Sequence, residues 1–179
     1  MPGKNLGEST LRIAVKEESA FYYALGVDNY LSPSVGAERV TINVGHANVF
    51  GLADQFDANI DIAEGLSGVN FYYDVPFTNS GTSLGIYGDI RDYITVERPF
   101  DEIDIESEYY QYGLKISQSF IKRLDEELNA SFGFEVKHSE STLLEQPFSF
   151  SLGAVDGKSD ISVLDMSLNW VIRYPGSVF

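Results

Sequence analysis

The residues best placed for chemistry are charged side chains that recur at every second position. Arg39 opens one alternating run, and Asp57 and Asp61 lie in the next run along the chain. Because the side chains of a β-strand point alternately to its two faces, these three share the polar face of neighbouring strands. Opposite charges on one face predict an ion pair. Its role would be electrostatic: it would stabilise the sheet and shape the field above it.

Side chains for catalysis or metal binding are scarce. The 179-residue chain has no cysteine and two histidines, His46 and His138. Thiol and disulfide chemistry are therefore excluded, and a zinc cluster would lack ligands. Neither histidine lies near a candidate nucleophile in a recognisable motif, and both fall on apolar positions at strand ends. We predict no enzyme, no metal and no cofactor.

The charge balance narrows the partners. The chain carries 27 acidic and 12 basic residues, for a net charge of −15. Nucleic acid is an unsuitable partner because phosphate binding needs a basic patch. The acidity suits either calcium or solvated loops, and we favour the loops. No apolar stretch reaches the ~18 residues of a membrane-spanning helix.

Alternation of apolar and polar residues predicts strands through most of the chain. After a first segment at 10–17, the predicted strands are 20–30, 35–47, 53–64, 69–76, 82–93, 107–120, 127–139 and 160–173. No segment keeps a 3.6-residue apolar period, so no helix of consequence is expected. The unbroken series predicts eight antiparallel strands after residue 20 in up-and-down order, with 10–17 outside or at the rim.

The two faces of these strands differ in an unusual way. The polar face carries charges and amides at mid-strand: Arg39, Asp57, Asn59, Asp61, Gln111, Lys115, Glu135 and Lys137. The other face is predicted to hold Ile42, Val44, Ile60, Ile62, Leu114, Ile116, Phe132, Phe134, Leu168 and Trp170, without a charge. This pattern is typical of strands with lipid on one side and a wet lumen on the other.

The connections are also unequal at the two ends of the predicted sheet. One end has short turns, including a tight turn at 48–51, whereas the other carries both long loops, 94–106 and 140–159. Bacterial outer-membrane barrels have this asymmetry. A soluble antiparallel sheet alternates as well, so a ligand-binding β-sandwich stays open as an alternative. A complete eight-stranded outer-membrane barrel with a structural or adhesive role is a second alternative.

Several motifs resemble those of a known family. The segment Pro2-Gly-x-x-x-Gly7-x-x-x-Leu11-x-Ile13-x-Val15-x-Glu17 looks like the join between the last POTRA domain and the barrel in two-partner-secretion translocators. Val27-Asp-Asn29, Gly36-x-x-Arg39 and Asn48-Val-Phe-Gly-Leu-Ala-Asp54 follow that family's first barrel strands in order and spacing. Tyr73-Asp-Val-Pro76, with Gly85 and Tyr93, is similar to its fourth and fifth strands. The Asn48–Asp54 motif is the most specific of these.

The resemblance implies an all-β, antiparallel up-and-down transmembrane β-barrel in the bacterial outer membrane. Residues 1–18 would be the tail of a POTRA domain, and 19–179 the N-terminal half, with about eight of about sixteen strands. The implied function is export of a large haemolysin- or adhesin-type exoprotein. The implied partners are that exoprotein, with its N-terminal secretion domain, and outer-membrane lipid. The first ten residues lack a signal peptide's apolar segment, so we expect one upstream.

Two groups of motif residues are interpreted as architectural. Asp28, Asn29, Gly36 and Arg39 bracket the first outward turn, predicted at 31–34. Asn48, Phe50, Gly51 and Asp54 form the turn of the most specific motif. Asp and Asn bond the local backbone in turns, and glycine relieves crowded backbone positions.

Overall fold

The computed structural model describes residues 11, 19–174 and 177–178, which form one antiparallel sheet and its connections. The strands are β1 (Phe21–Asp28), β2 (Arg39–His46), β3 (Gln55–Ala63), β4 (Leu66–Pro76), β5 (Thr82–Ile94), β6 (Ile105–Lys122), β7 (Glu126–Leu143), β8 (Gln146–Pro147), β9 (Lys158–Tyr174) and β10 (Ser177–Val178). Two short 3-10 turns, Pro33–Val35 and Phe100–Ile103, lie in loops. In the described ranges, no helix is long and apolar enough to cross a membrane.

The strand order follows the chain. Strands β1 to β7 pair in sequence, β9 pairs with β7, β10 pairs with β9, and β8 is a two-residue addition to β7. The prediction of eight sequential long strands in up-and-down order is therefore confirmed. The predicted segment 10–17 lies outside the described residues, apart from Leu11.

The sheet is open in the part of the chain that the structure describes. There β1 pairs with β2 alone, and the far edge is formed by β9 with the short β10. All ten strands belong to one sheet. A β-sandwich needs two stacked sheets, and a complete eight-stranded barrel needs β1 against β9. Both alternative folds are therefore wrong for these residues.

The asymmetry of the two ends is confirmed, with different boundaries. The turn end carries 47–54, 77–81 and 123–125, whereas the loop end carries 29–38, 64–65, 95–104 and 144–157. The predicted tight turn at 48–51 is wrong because β2 ends at His46 and β3 begins at Gln55. The predicted turn at 31–34 is likewise a longer loop around a 3-10 turn. Strand β4 begins at Leu66, three residues before the prediction, because Gly68 pairs within the sheet.

Burial in this sheet is the reverse of that in a soluble protein. Among the described residues, the large apolar side chain that is buried is Leu66, and the buried polar ones are Asp54, Asp61 and Ser131. On β9, Met166 is 83% exposed. Soluble monomers rarely expose such a continuous apolar surface, so this face requires a covering.

Candidate functional site on the polar face

The strand register assigns every side chain to one of two faces. Ile42 lies opposite Ile60, Leu114 opposite Phe134, and Leu168 opposite Ala130. The ten residues predicted for the apolar face all lie on it, which confirms that prediction. His46 and His138 lie on the same face, opposite Phe21 and Tyr110.

The eight predicted polar residues lie together on the opposite face. By register these are Arg39, Asp57, Asn59, Asp61, Gln111, Lys115, Glu135 and Lys137. Asp61 is buried and the other seven are half-buried. Polar groups that lose water must find partners, so their hydrogen bonds reveal how the face is organised.

The predicted ion pair exists and is part of a chain of charges across the first strands. Arg39 binds Asp28 on β1 at 2.9 Å and approaches Asp61 on β3 at 3.8 Å. The Thr41 hydroxyl donates to Asp61 at 2.7 Å. Asp57, which was predicted to share this pairing, instead accepts a hydrogen bond from Tyr22.

A further arginine, which the sequence did not single out, extends the charge chain to β5. Arg91 approaches Asp61 at 3.8 Å and binds Asp89 at 2.8 Å. Gly68 of β4 lies between Arg91 and Asp61 in the register, and its missing side chain lets the arginine cross that strand. Asp61 is thus held between two guanidinium groups.

Two tyrosines also cross a glycine on the neighbouring strand to reach a carboxylate on the strand beyond it. Tyr22 crosses Gly45 on the next strand and donates to Asp57 on the strand after it. Tyr87 crosses Gly113 in the same way and donates to Glu135 at 3.1 Å. A Cβ atom on either glycine would overlap the tyrosine ring. We call these two arrangements tyrosine-over-glycine bridges, and each ties three strands together by a side chain.

An asparagine ladder occupies the middle of the same face. Asn43 donates to Asn59 at 2.9 Å, and Asn59 donates to Asn70 at 3.1 Å, across β2, β3 and β4. The three residues are direct register partners. Neutral amides therefore separate the charge chain from the Tyr22–Asp57 bridge.

The polar face is concave between β4 and β9. Side chains from five strands, including Asn70, Tyr87, Lys115 and Asp165, line an open cavity of about 590 Å³. Nearby, Lys137 binds Glu135 at 2.8 Å. Both signs of charge are present and largely paired, and among the described residues no group of three metal-ligating side chains converges.

The motif loop 47–54 is organised around one buried carboxylate. Asp54 is fully buried and accepts hydrogen bonds from the N–H groups of Phe50 and Leu52 and from the Tyr73 hydroxyl, at 3.0–3.2 Å. Burial raises the pKa of Asp54, but these donors outweigh it and hold the pKa below its ordinary value. The Asn48 side chain accepts from the Ala53 N–H at 2.9 Å.

Glycine and a further aspartate fix the turns of both motif groups. Gly51 and Gly36 have positive φ angles of 79° and 83°, which glycine adopts without strain. A Cβ on Gly36 would meet Glu64 at 2.8 Å. Asp28 accepts from the Tyr30 N–H at 3.1 Å, and Asn29 is exposed.

The apolar residues of each strand form a band across the apolar face. This band does not follow the rows of register partners, because its position shifts toward the turn end from one strand to the next. The row that starts with Val27, Val40 and Ile62 continues through Ser67, Asp92, Glu108, Glu140 and Lys158. On β9 the apolar residues are instead Leu164, Met166, Leu168 and Trp170, nearer the turn end. Each strand shifts the band by roughly one residue, as the strands of a barrel require.

These features define the class of protein. The chain forms part of the wall of an outer-membrane β-barrel, with lipid on one face and water on the other. The model of one family, described as "Haemolysin secretion/activation protein ShlB/FhaC/HecB", matches residues 7–153. The chain belongs to this family, which confirms the resemblance seen in its motifs and its outer-membrane location.

Two solved structures share the fold. CdiB from Escherichia coli is 18% identical with a TM-score of 0.76, and the match covers 99% of this chain and 33% of that one. BamA from Haemophilus ducreyi lacking POTRA domains 1-3 is 18% identical with a TM-score of 0.52, covering 90% of this chain and 31% of that one. The chain thus spans about a third of each structure. The comparison with curated proteins gave no match.

Proposed function

We propose that this chain supplies part of the wall of a two-partner-secretion translocator. Its polar face would line the lumen through which a large haemolysin- or adhesin-type exoprotein leaves the cell. Residues 19–179 would be the N-terminal half of a barrel of about sixteen strands, and 1–18 the tail of a POTRA domain. Membership of the secretion/activation family supports this assignment.

The observation that carries the proposal is the contrast between the two faces. The apolar face is exposed and continuous, whereas the polar face pairs most of its charges with each other. A moving polypeptide needs a surface that solvates it without holding it, because tight binding would stop conduction. Paired charges and amides meet that need. Export would be passive conduction of an unfolded chain, without catalysis, nucleotide or metal.

Cysteine substitution tests which face lines the lumen, since the chain has no native cysteine. Gln111 lies on the polar face, and its neighbour Tyr112 lies on the apolar one. In the intact protein in outer membranes, a hydrophilic thiol reagent should modify Gln111→Cys, and a bulky reagent there should block export. The matched Tyr112→Cys protein should resist the reagent and export normally. The opposite labelling pattern would refute a polar lumen.

The partner is tested by export itself. Deleting the N-terminal secretion domain of the exoprotein should abolish its appearance in the medium while the translocator stays folded in the membrane. Undiminished export of the truncated exoprotein would contradict the proposed partner.

A further inference from the structure

An apolar surface distinct from the polar face lies where loop 47–54 meets the apolar face. Val49, Phe50 and Leu52 point outward, and Phe50 is 72% exposed. The loop has a single ionisable residue, Asp54, which is fully buried. The loop therefore presents hydrocarbon and no charge to its surroundings.

The exposure of these side chains is imposed by the loop's own bonding. Asp54 fixes the backbone of Phe50 and Leu52 through their N–H groups. The same carboxylate accepts from Tyr73, whose ring meets Phe50 edge-on with centroids 6.1 Å apart. One buried anchor thus holds Phe50 against β4 and keeps its outer side free.

Beneath Phe50 the loop and the three strands β2, β3 and β4 line an apolar slot that is open to one side. Its volume is about 420 Å³, and its lining is His46, Val49, Phe50, Phe56 and Tyr73. The volume lies within the range of small-molecule sites. A polar ligand here would lose hydrogen bonds to water without replacement, whereas a hydrocarbon chain would lose none. The slot therefore favours an apolar ligand.

We propose that this slot binds one acyl chain of a phospholipid in the leaflet that borders the turn end of the sheet. Phe56 and Tyr73 belong to the apolar face, so the slot is continuous with the surface that lipid already covers. On β2 and β3 the apolar band extends to His46 and Phe56, directly at the loop. The proposal rests on the outer-membrane location and not on the export function.

Photocrosslinking at Phe50 identifies the occupant. The intact protein, with Phe50→p-benzoylphenylalanine, is reconstituted into vesicles of phosphatidylethanolamine and phosphatidylglycerol and irradiated. Mass spectrometry should find a phospholipid attached at position 50, through its acyl chain. The same probe at Tyr93, on the polar face, should give no lipid adduct. An adduct at position 50 with polypeptide alone, from another segment or a second copy, would overturn the proposal, as would no adduct.

The number of phospholipids retained after purification distinguishes binding in the slot from the non-specific contact that lipid makes with the whole apolar face. Native mass spectrometry of the detergent-purified intact protein should show one retained phospholipid. Phe50→Ala should lower the retained fraction about tenfold, as expected from losing one ring-sized apolar contact. Phe134→Ala, which removes an exposed ring elsewhere on the apolar face, should leave retention unchanged. Equal loss in both variants, or in neither, would mean that no slot exists.

Discussion

The first five strands and the last long ones are held together by different means. Strands β1, β2 and β3 have 8–9 residues, and their polar faces are joined by the charge chain, the asparagine ladder and the Tyr22–Asp57 bridge. Strands β6, β7 and β9 have 17–18 residues and pair along nearly their full length. Between β7 and β9 the polar-face contacts are the Ser131–Ser167 hydrogen bond, at 2.7 Å, and the Glu127–Arg173 ion pair near the turn end, at 2.8 Å.

The difference indicates that side-chain networks supplement short backbone ladders. Each backbone hydrogen bond contributes about 1 kcal/mol net, so a strand half as long has a markedly weaker ladder. Across β1 to β5, ion pairs and hydrogen bonds between asparagine side chains add contacts between strands. They lie where the backbone ladders have the fewest hydrogen bonds. Long strands need fewer side-chain contacts of this kind for their length.

The largest expected effect comes from breaking the charge chain at its centre. Asp61→Ala should destabilise the fold by about 3 kcal/mol, because it leaves the Thr41 hydroxyl without its acceptor and removes the carboxylate shared by Arg39 and Arg91, which keep Asp28 and Asp89. Asp165→Ala, on the polar face of β9, should stay within about 0.5 kcal/mol. The measurement is the temperature at which the intact protein loses its compact form on unboiled gels. Equal effects of the two substitutions would break the comparison between early and late strands.

A smaller effect is expected at the tyrosine-over-glycine bridges. Gly45→Ala should cost about 1–3 kcal/mol, because the new methyl group displaces Tyr22 from Asp57. Gly133→Ala is the matched control, since its Cβ would meet ordinary contacts at 3.4 Å and beyond. Thermal unfolding of both variants checks this. In a Tyr22→Ala background the cost of Gly45→Ala should largely vanish, and full additivity would contradict the bridge.

The motif loop predicts a still smaller, pH-dependent effect. Because the pKa of Asp54 is lowered in the folded protein, its carboxylate adds stability above the ordinary value of about 3.9. That stability is lost as the pH falls through the lower folded value. The melting temperature of the intact protein should therefore fall more between pH 5 and pH 3 than that of Asp54→Asn. Parallel pH profiles would show that the carboxylate contributes nothing special.

The smallest effect belongs to an exposed pair in the long loop 95–104. Arg98 and Asp101 approach to 3.7 Å, but the arginine side chain is 92% exposed. Surface pairs of this kind contribute about 0–1 kcal/mol, so Arg98→Ala should leave the melting temperature unchanged within error. A clear loss of stability would mean that ion pairs stabilise the loop end as strongly as they stabilise β1 to β5.

Periodicity alone predicted the strands, their order and their two faces. It worked because every second residue of a strand meets the same surroundings, so face and sequence position are tied. The predicted Arg39–Asp61 pair follows from the same rule. The motif loop also stood out, because asparagine, glycine and aspartate are turn-forming residues.

Features that depend on three strands at once could not be predicted. Gly68 was interpreted as part of a turn, although it is the gap through which Arg91 reaches Asp61. Asp57 was assigned to the ion pair, although register places Gly45 beside it and so gives Tyr22 access. A sequence specifies which face a side chain uses, but the register decides which neighbours it meets two strands away.

The slide of the apolar band has a consequence for the geometry of the whole wall. Lipid fixes the band parallel to the membrane plane, so a shift of roughly one residue per strand means that the strands themselves are inclined to the membrane normal. With about 3.3 Å per residue and about 4.8 Å between strands, the inclination is roughly 35°. Carried around a closed barrel, the same shift gives a shear number close to the number of strands. The backbone diameter of such a barrel is then set by the shear number and the strand count, whichever side chains line it.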